Sequence, residues 1–222
     1  TGWVRTVGGT LAWRPVPRTE VLLFAADFAL TSDEARPTLY PLGSALPPRM
    51  ERGVDLGQSW TGRHSHTRNL GGIVKLPLGG MQLEAGLFHT RRSYRSVFAD
   101  ILSGVASDGS YAARRIVADG GASDGSLSGE LRLLRAWRTA HLDQQITFSL
   151  RGRSRDRRFG GSKVLALGPG SLLAPDPRAE PAYALGAKND DHVRQITFGA
   201  AYSVVWDGGL SLDASLSQSR YR

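Results

Sequence analysis

The chain contains no cysteine, which excludes a disulfide scaffold and any thiolate-held metal. Lysine is almost as scarce. Lys75, Lys163 and Lys188 are the only ones, although Lys and Arg together number 28 against 20 Asp and Glu. The formal charge of +8 is therefore carried almost wholly by arginine. Its planar fork suits carboxylates and phosphates, and an arginine bias equally follows from a GC-rich genome. No run approaches the ~20 apolar residues of a transmembrane helix. Sustained 3.6-residue periodicity is hard to find as well, which argues against amphipathic helices.

Period-two alternation is abundant instead. It predicts eight strands over residues 3–14, 20–30, 65–76, 81–95, 127–137, 144–157, 193–205 and 210–221. Within successive pairs the connections are short: "PVPRT" (15–19), "PLGG" (77–80), "RTAHL" (138–142) and "WDGG" (206–209). Between pairs they are long: 31–64, 96–124 and 159–191. In an up-and-down meander, successive turns fall on opposite ends of the sheet, so the short turns share one end and the long segments the other. Compact soluble domains rarely carry loops of about 30 residues. An outer-membrane barrel has short periplasmic turns and long extracellular loops by construction.

The strand faces agree. In "ITFSLRGRSRDRR" (146–158), Ile146, Phe148 and Leu150 alternate with Thr147 and Ser149, and Arg151, Arg153, Arg155 and Arg157 continue the polar face as a ladder. Ile196 and Phe198 on the seventh strand, with Leu210 and Leu212 on the eighth, complete the expected lipid-facing set. Trp13, Trp137 and Trp206 stand beside short turns, where an interfacial aromatic girdle belongs. The polar faces are expected to be small and uncharged near the short turns, then charged near the long segments. A soluble sandwich gives the same alternation with the apolar face turned inward, and it remains the competing architecture.

"SLSGELRLLRAW" (126–137), the turn containing His141, "ITFSLRGRSRDRRFGG" (146–161) and "VRQITFGAAYSVVWDGGLSLDASLSQSRYR" (193–222) together resemble mid-barrel strands of TonB-dependent outer-membrane receptors. The rhythm of two strands and a long loop resembles them across essentially the whole chain. The resemblance implies a 22-stranded barrel, plugged by an N-terminal domain, that imports ferric siderophores or similar nutrients with energy delivered through TonB. Residues 1–222 are then expected to be one partial barrel domain of about eight strands, with no plug domain and no second domain. The chain opens and closes inside apparent strands, which fits a piece of a longer barrel. A complete eight-stranded barrel serving as an anchor or adhesion surface is the alternative.

No catalytic, cofactor or metal set is expected. His64 and His66 in "HSH" lack further ligands at motif spacing, and His89, His141 and His192 are isolated. No Gly-x-Ser-x-Gly occurs, and "LGPGS" (167–171) lacks the residues of a phosphate loop. "VASDGS" (105–110) and "DGGASDGS" (119–126) fail the calcium-loop pattern and read as mobile loops. The arginine ladder has three open readings: it attracts an anionic small-molecule ligand at the barrel mouth, pairs with acids on neighbouring strands, or binds lipopolysaccharide phosphates. Nucleic acid is not expected, because no aromatics are interleaved among the arginines of the sixth strand. The expected partners are outer-membrane lipid and lipopolysaccharide, an anionic ligand, and TonB and a plug domain acting through parts outside these residues.

Overall fold

In a computed structural model that describes residues 2–32, 34–44, 46–51, 53–174 and 176–222, the chain is all β. Its strands are β1 (Gly2–Trp13), β2 (Glu20–Ser32), β3 (Thr38–Pro41), β4 (Arg63–Leu78), β5 (Met81–Tyr94) and β6 (Val97–Val105). They continue as β7 (Ser110–Asp119), β8 (Ser123–Thr139), β9 (Leu142–Phe159), β10 (Lys163–Ser171), β11 (Asn189–Trp206) and β12 (Ser211–Tyr221).

Eight of these form one antiparallel meander in the order β1-β2-β4-β5-β8-β9-β11-β12. They are the eight alternating segments of the sequence, extended by a few residues where they run toward the long connections. β8, β9 and β11 reach 17, 18 and 18 residues, well beyond the ~9–11 needed to cross a bilayer core. The short connections are tight where the sequence places Gly. Gly79 and Gly80 both adopt positive φ in the turn after Leu78, a conformation costly for a side chain with a Cβ. Leu210 lies within the last turn and not on a strand, its carbonyl accepting from the Trp206 N–H at 2.8 Å. The sheet is open, with β1 and β12 at its edges.

Register divides this sheet into two faces. Leu11, Leu23, Gly72, Leu87, Gly129, Gly152 and Ile196 run directly opposite one another from β1 to β11. Two residues closer to the short turns, Val74, Ala85, Leu131, Leu150 and Phe198 form the next row on the same side. None of the described residues covers this face: Leu11 is 61%, Phe198 58% and Leu216 80% exposed. A sandwich would bury these residues between two sheets, and that architecture is thereby excluded for the meander.

The buried core lies elsewhere. The long segments, expected to be loops, contribute four further strands that pair in the order β10-β7-β6-β3, with β3 parallel to β6. Among the described residues, every buried apolar side chain except Val204 belongs to this upper sheet or the residue following it. One cluster gathers Leu102, Val105, Tyr111 and Leu172, and the other Ile116, Ala118, Leu165 and Leu167. Trp60 packs edge-on against Phe98 at 5.6 Å, and its indole N–H donates to the Arg178 carbonyl at 2.9 Å. Gln58 is buried and bonds both the Asp176 carbonyl and the Arg178 N–H, tying the first long segment to the third. The Arg95 N–H donates to the His64 carbonyl, and Tyr94 and Ala122 exchange backbone bonds, which fixes the chain where it leaves the meander after β5 and returns to it before β8.

The expectation of mobile loops at 105–110 and 119–126 is thereby corrected. Residues 105–110 form the β6–β7 turn, in which Asp108 accepts from both the Ser110 N–H at 2.9 Å and its hydroxyl at 2.7 Å. Those bonds hold the Asp108 carboxyl below its usual pKa. Residues 123–126 already belong to β8.

Candidate functional site

The polar face of the meander carries the ladder. Arg151, Arg153, Arg155 and Arg157 alternate with the apolar positions of β9, so they share the side opposite Phe148 and Leu150. Across this face Phe88, Ser128, Arg153, Gln195 and Tyr221 are direct cross-strand neighbours. Phe88, Ser128, Glu130, Arg151, Arg153 and Thr197 line a depression of about 310 Å³. All of these residues lie on strands of the meander, which position side chains more firmly than a loop would.

The four arginines are chemically unlike. Arg151 bonds Glu130 at 2.8 Å, and Glu130 also takes Arg132 at 2.5 Å. Arg155 holds both oxygens of Asp124, with its Nε at 3.0 and 3.1 Å and a terminal nitrogen closer still. Arg157 lies over the ring of Phe159 at 4.3 Å, a cation–π contact. Arg153 makes no ion pair among the described residues. Pairing with neighbouring acids thus accounts for Arg151 and Arg155, while Arg153 lines the depression without an acid partner among the described residues.

Charge is not confined to the long-segment end of this face, contrary to expectation. Arg14 bonds Glu20 at 2.5 Å and Lys75 approaches Glu84 at 3.8 Å, both close to short turns. Such pairs keep isolated charges from facing one another across adjacent strands. Glu130 and Asp124 were not legible as partners from the sequence, because cross-strand register decides who faces whom.

The apolar set occupies the other face. Ile146, Phe148 and Leu150 stand opposite Tyr202, Ala200 and Phe198 on β11, and Leu212 stands opposite Val204. Ile196 continues that column. Trp13, Trp137 and Trp206 share this side, each at the end of a strand next to a short turn. The ring of Trp137 lies 6.5 Å from that of Tyr202.

Four of the five histidines serve local pairing. His64 meets the Thr31 hydroxyl at 3.2 Å, His66 meets Asp27 at 2.6 Å, and His141 meets Asp207 at 3.1 Å. His192 bonds Asp156. Among the described residues, no three His, Cys, Asp or Glu are grouped to hold a metal.

No protein-family model matches the chain, and no curated protein does. Solved structures do. The ferric preacinetobactin receptor BauA of Acinetobacter baumannii superposes with a TM-score of 0.69 at 14% identity, over 99% of this chain and 34% of that one. The ferripyoverdine receptor of the Pseudomonas aeruginosa outer membrane gives 0.68 at 12%, over 100% and 31%. The ferric-catecholate import receptor Fiu of E. coli K12 gives 0.68 at 10%, over 99% and 40%. The chain therefore has the fold of part of such receptors, and spans about a third of their length.

Proposed function

We propose that the chain is part of the barrel wall of a TonB-dependent receptor that imports a ferric siderophore or similar nutrient across a bacterial outer membrane. One observation carries this most: an eight-stranded antiparallel meander whose apolar face is left uncovered by the described residues. In water such a face and two open edges favour aggregation; in lipid the face is solvated and further strands complete the edges. The likeness of the whole chain to outer-membrane receptors supports the same reading. The open edges at β1 and β12 favour a wall segment over a closed eight-stranded barrel.

In this role Ile146, Phe148, Leu150, Ile196, Phe198 and Leu212 contact lipid, and Trp13, Trp137 and Trp206 mark the periplasmic interface. The ladder face lines the lumen, where Arg153 and Arg157 draw in an anionic chelate. The upper sheet stands outside the membrane as a folded cap. Transport and not catalysis is the activity, and no cofactor is required.

Uptake of labelled ferric chelates by cells with and without the intact protein tests this reading. Uptake that requires both the protein and TonB supports it. A cell that loses the protein and takes up every chelate of a broad panel unchanged contradicts it.

A further inference from the structure

The upper sheet packs on one side only. Leu102, Ile116 and Leu165 point toward its two buried clusters. Alternation sends Ala99, Ile101, Arg115, Val117, Val164 and Ala166 to the other side. There Val164 stands opposite Val117, and Val117 opposite Ala99. In the next row Ala166, Arg115 and Ile101 line up in the same way. Tyr40 on β3, opposite Ser103, bounds the face at its far edge. The described residues leave this side open: Val164 and Tyr40 are each 55% exposed, and Ala99, Arg115 and Ala166 are exposed too.

Arg115 is the one charge in these two rows. Its chain neighbour Arg114 points the other way, into the core, and pairs with Asp100. Arg115 itself makes no ion pair among the described residues. A lone guanidinium set among small apolar side chains is an anchor for a carboxylate that arrives with apolar surroundings of its own. That chemistry disfavours a second copy, because a two-fold axis through the face would bring two Arg115 side chains together. Size disfavours any separate protein. The face covers on the order of 400 Å², about half of the ~800 Å² that each partner gives to a free-standing interface. A tethered segment needs far less area, since its local concentration is in the millimolar range.

We infer that another long extracellular connection of the same receptor, from outside residues 1–222, docks on this face. It lays small apolar side chains on Ala99, Val117 and Ala166 and a carboxylate on Arg115. The inference rests on the barrel-wall reading proposed above. In that reading, strands added at the edges bring further long connections to the end where the upper sheet stands. The receptors that share this fold are long enough to supply them, since this chain covers 31–40% of their length. Docked there, the added segment makes the upper sheet the middle layer of a three-layer cap.

The test places single cysteines in the intact receptor at Ala99, Ala166 and Ser107, three positions exposed in the chain. A membrane-impermeant maleimide is applied to intact cells, then to the purified receptor in detergent. Ser107→Cys, in the turn between β6 and β7, is expected to label fast. Ala99→Cys and Ala166→Cys are expected to label at least about tenfold more slowly, in cells and after purification alike. Arg115→Gln removes the anchor and should speed labelling of both by about tenfold, while Arg115→Lys keeps most of the protection. Labelling of both positions as fast as Ser107→Cys overturns the inference. So does protection lost on purification, which assigns the face to a separate protein, or lost on dilution, which assigns it to a second copy. Protection unmoved by Arg115→Gln overturns the carboxylate contact. Ser107→Cys that reacts only after lysis removes the cell-surface reading itself. Fast labelling at all three positions on intact cells leaves that reading standing and sinks only this inference.

Discussion

Arg114 and Asp100 face each other inside the upper sheet, with guanidinium nitrogens 3.1 and 2.5 Å from the two carboxylate oxygens and both side chains out of solvent. Arg114 also donates to the Leu56 carbonyl at 2.5 Å, linking the first long segment to β7. Burial alone lowers the Arg114 pKa; the hydrogen bond and charge of Asp100 more than offset it, so the guanidinium is held charged. Removing one member strands the other in a dry interior. Asp100→Ala is therefore expected to cost the upper sheet about 3–5 kcal/mol, and replacing both by apolar residues of similar size much less. Hydrogen exchange of the β6 and β7 amides in the intact protein measures both. A small effect of Asp100→Ala would mean that water reaches the pair.

That same pair helps explain why four of the twelve strands were hidden in the sequence. The eight meander strands were legible because alternation there is enforced by two different surroundings, one face apolar and the other polar. In "YAARRIVAD" (111–119) a charged residue, Arg114, occupies a core position together with Tyr111, Ile116 and Ala118. Asp100 does the same in β6. β10 is interrupted by register shifts around Gly168 and Gly170, and β3 has only four residues. No period-two signal survives such features. At the ladder, alternation placed all four arginines on one side. It carried no information about Asp124 and Glu130, which arrive from β8 by register.

The ladder divides into paired and unpaired arginines, and their substitutions should differ. Arg153→Gln is expected to slow uptake of an anionic chelate more at low salt than at high salt, because the ~8–10 Å screening length limits its reach. Arg155→Gln frees Asp124, so its effect on uptake should come with weakened pairing of β8 with β9 near the long segments. Initial uptake rates at equal receptor abundance across ionic strength read the first effect, and amide exchange at Ser126 and Ser154 reads the second. Identical behaviour of the two variants would contradict the division.

Charge on the apolar face should be costly in proportion to its depth in lipid. Phe148→Arg and Phe198→Arg are each expected to cost about 2–4 kcal/mol if these positions lie near the bilayer midplane. Thr147→Arg, on the opposite face, should cost far less, since it adds a cation to a watered lumen. Folding equilibria of the intact protein in lipid vesicles under denaturant provide the comparison. A similar cost on both faces would argue against a lipid-exposed sheet.

The account stands most directly on what surrounds Phe148. Because the chain has no cysteine, single cysteines can be placed at each residue from 145 to 151 of the intact protein in lipid bilayers. A spin label at each then reports accessibility to oxygen, which concentrates in lipid, and to a water-soluble nickel chelate. Positions 146, 148 and 150 should be open to oxygen and closed to nickel, with the reverse at 145, 147, 149 and 151. Protection from both reagents at 146, 148 and 150 would mean that another layer of protein covers this face, and the transmembrane wall would be ruled out.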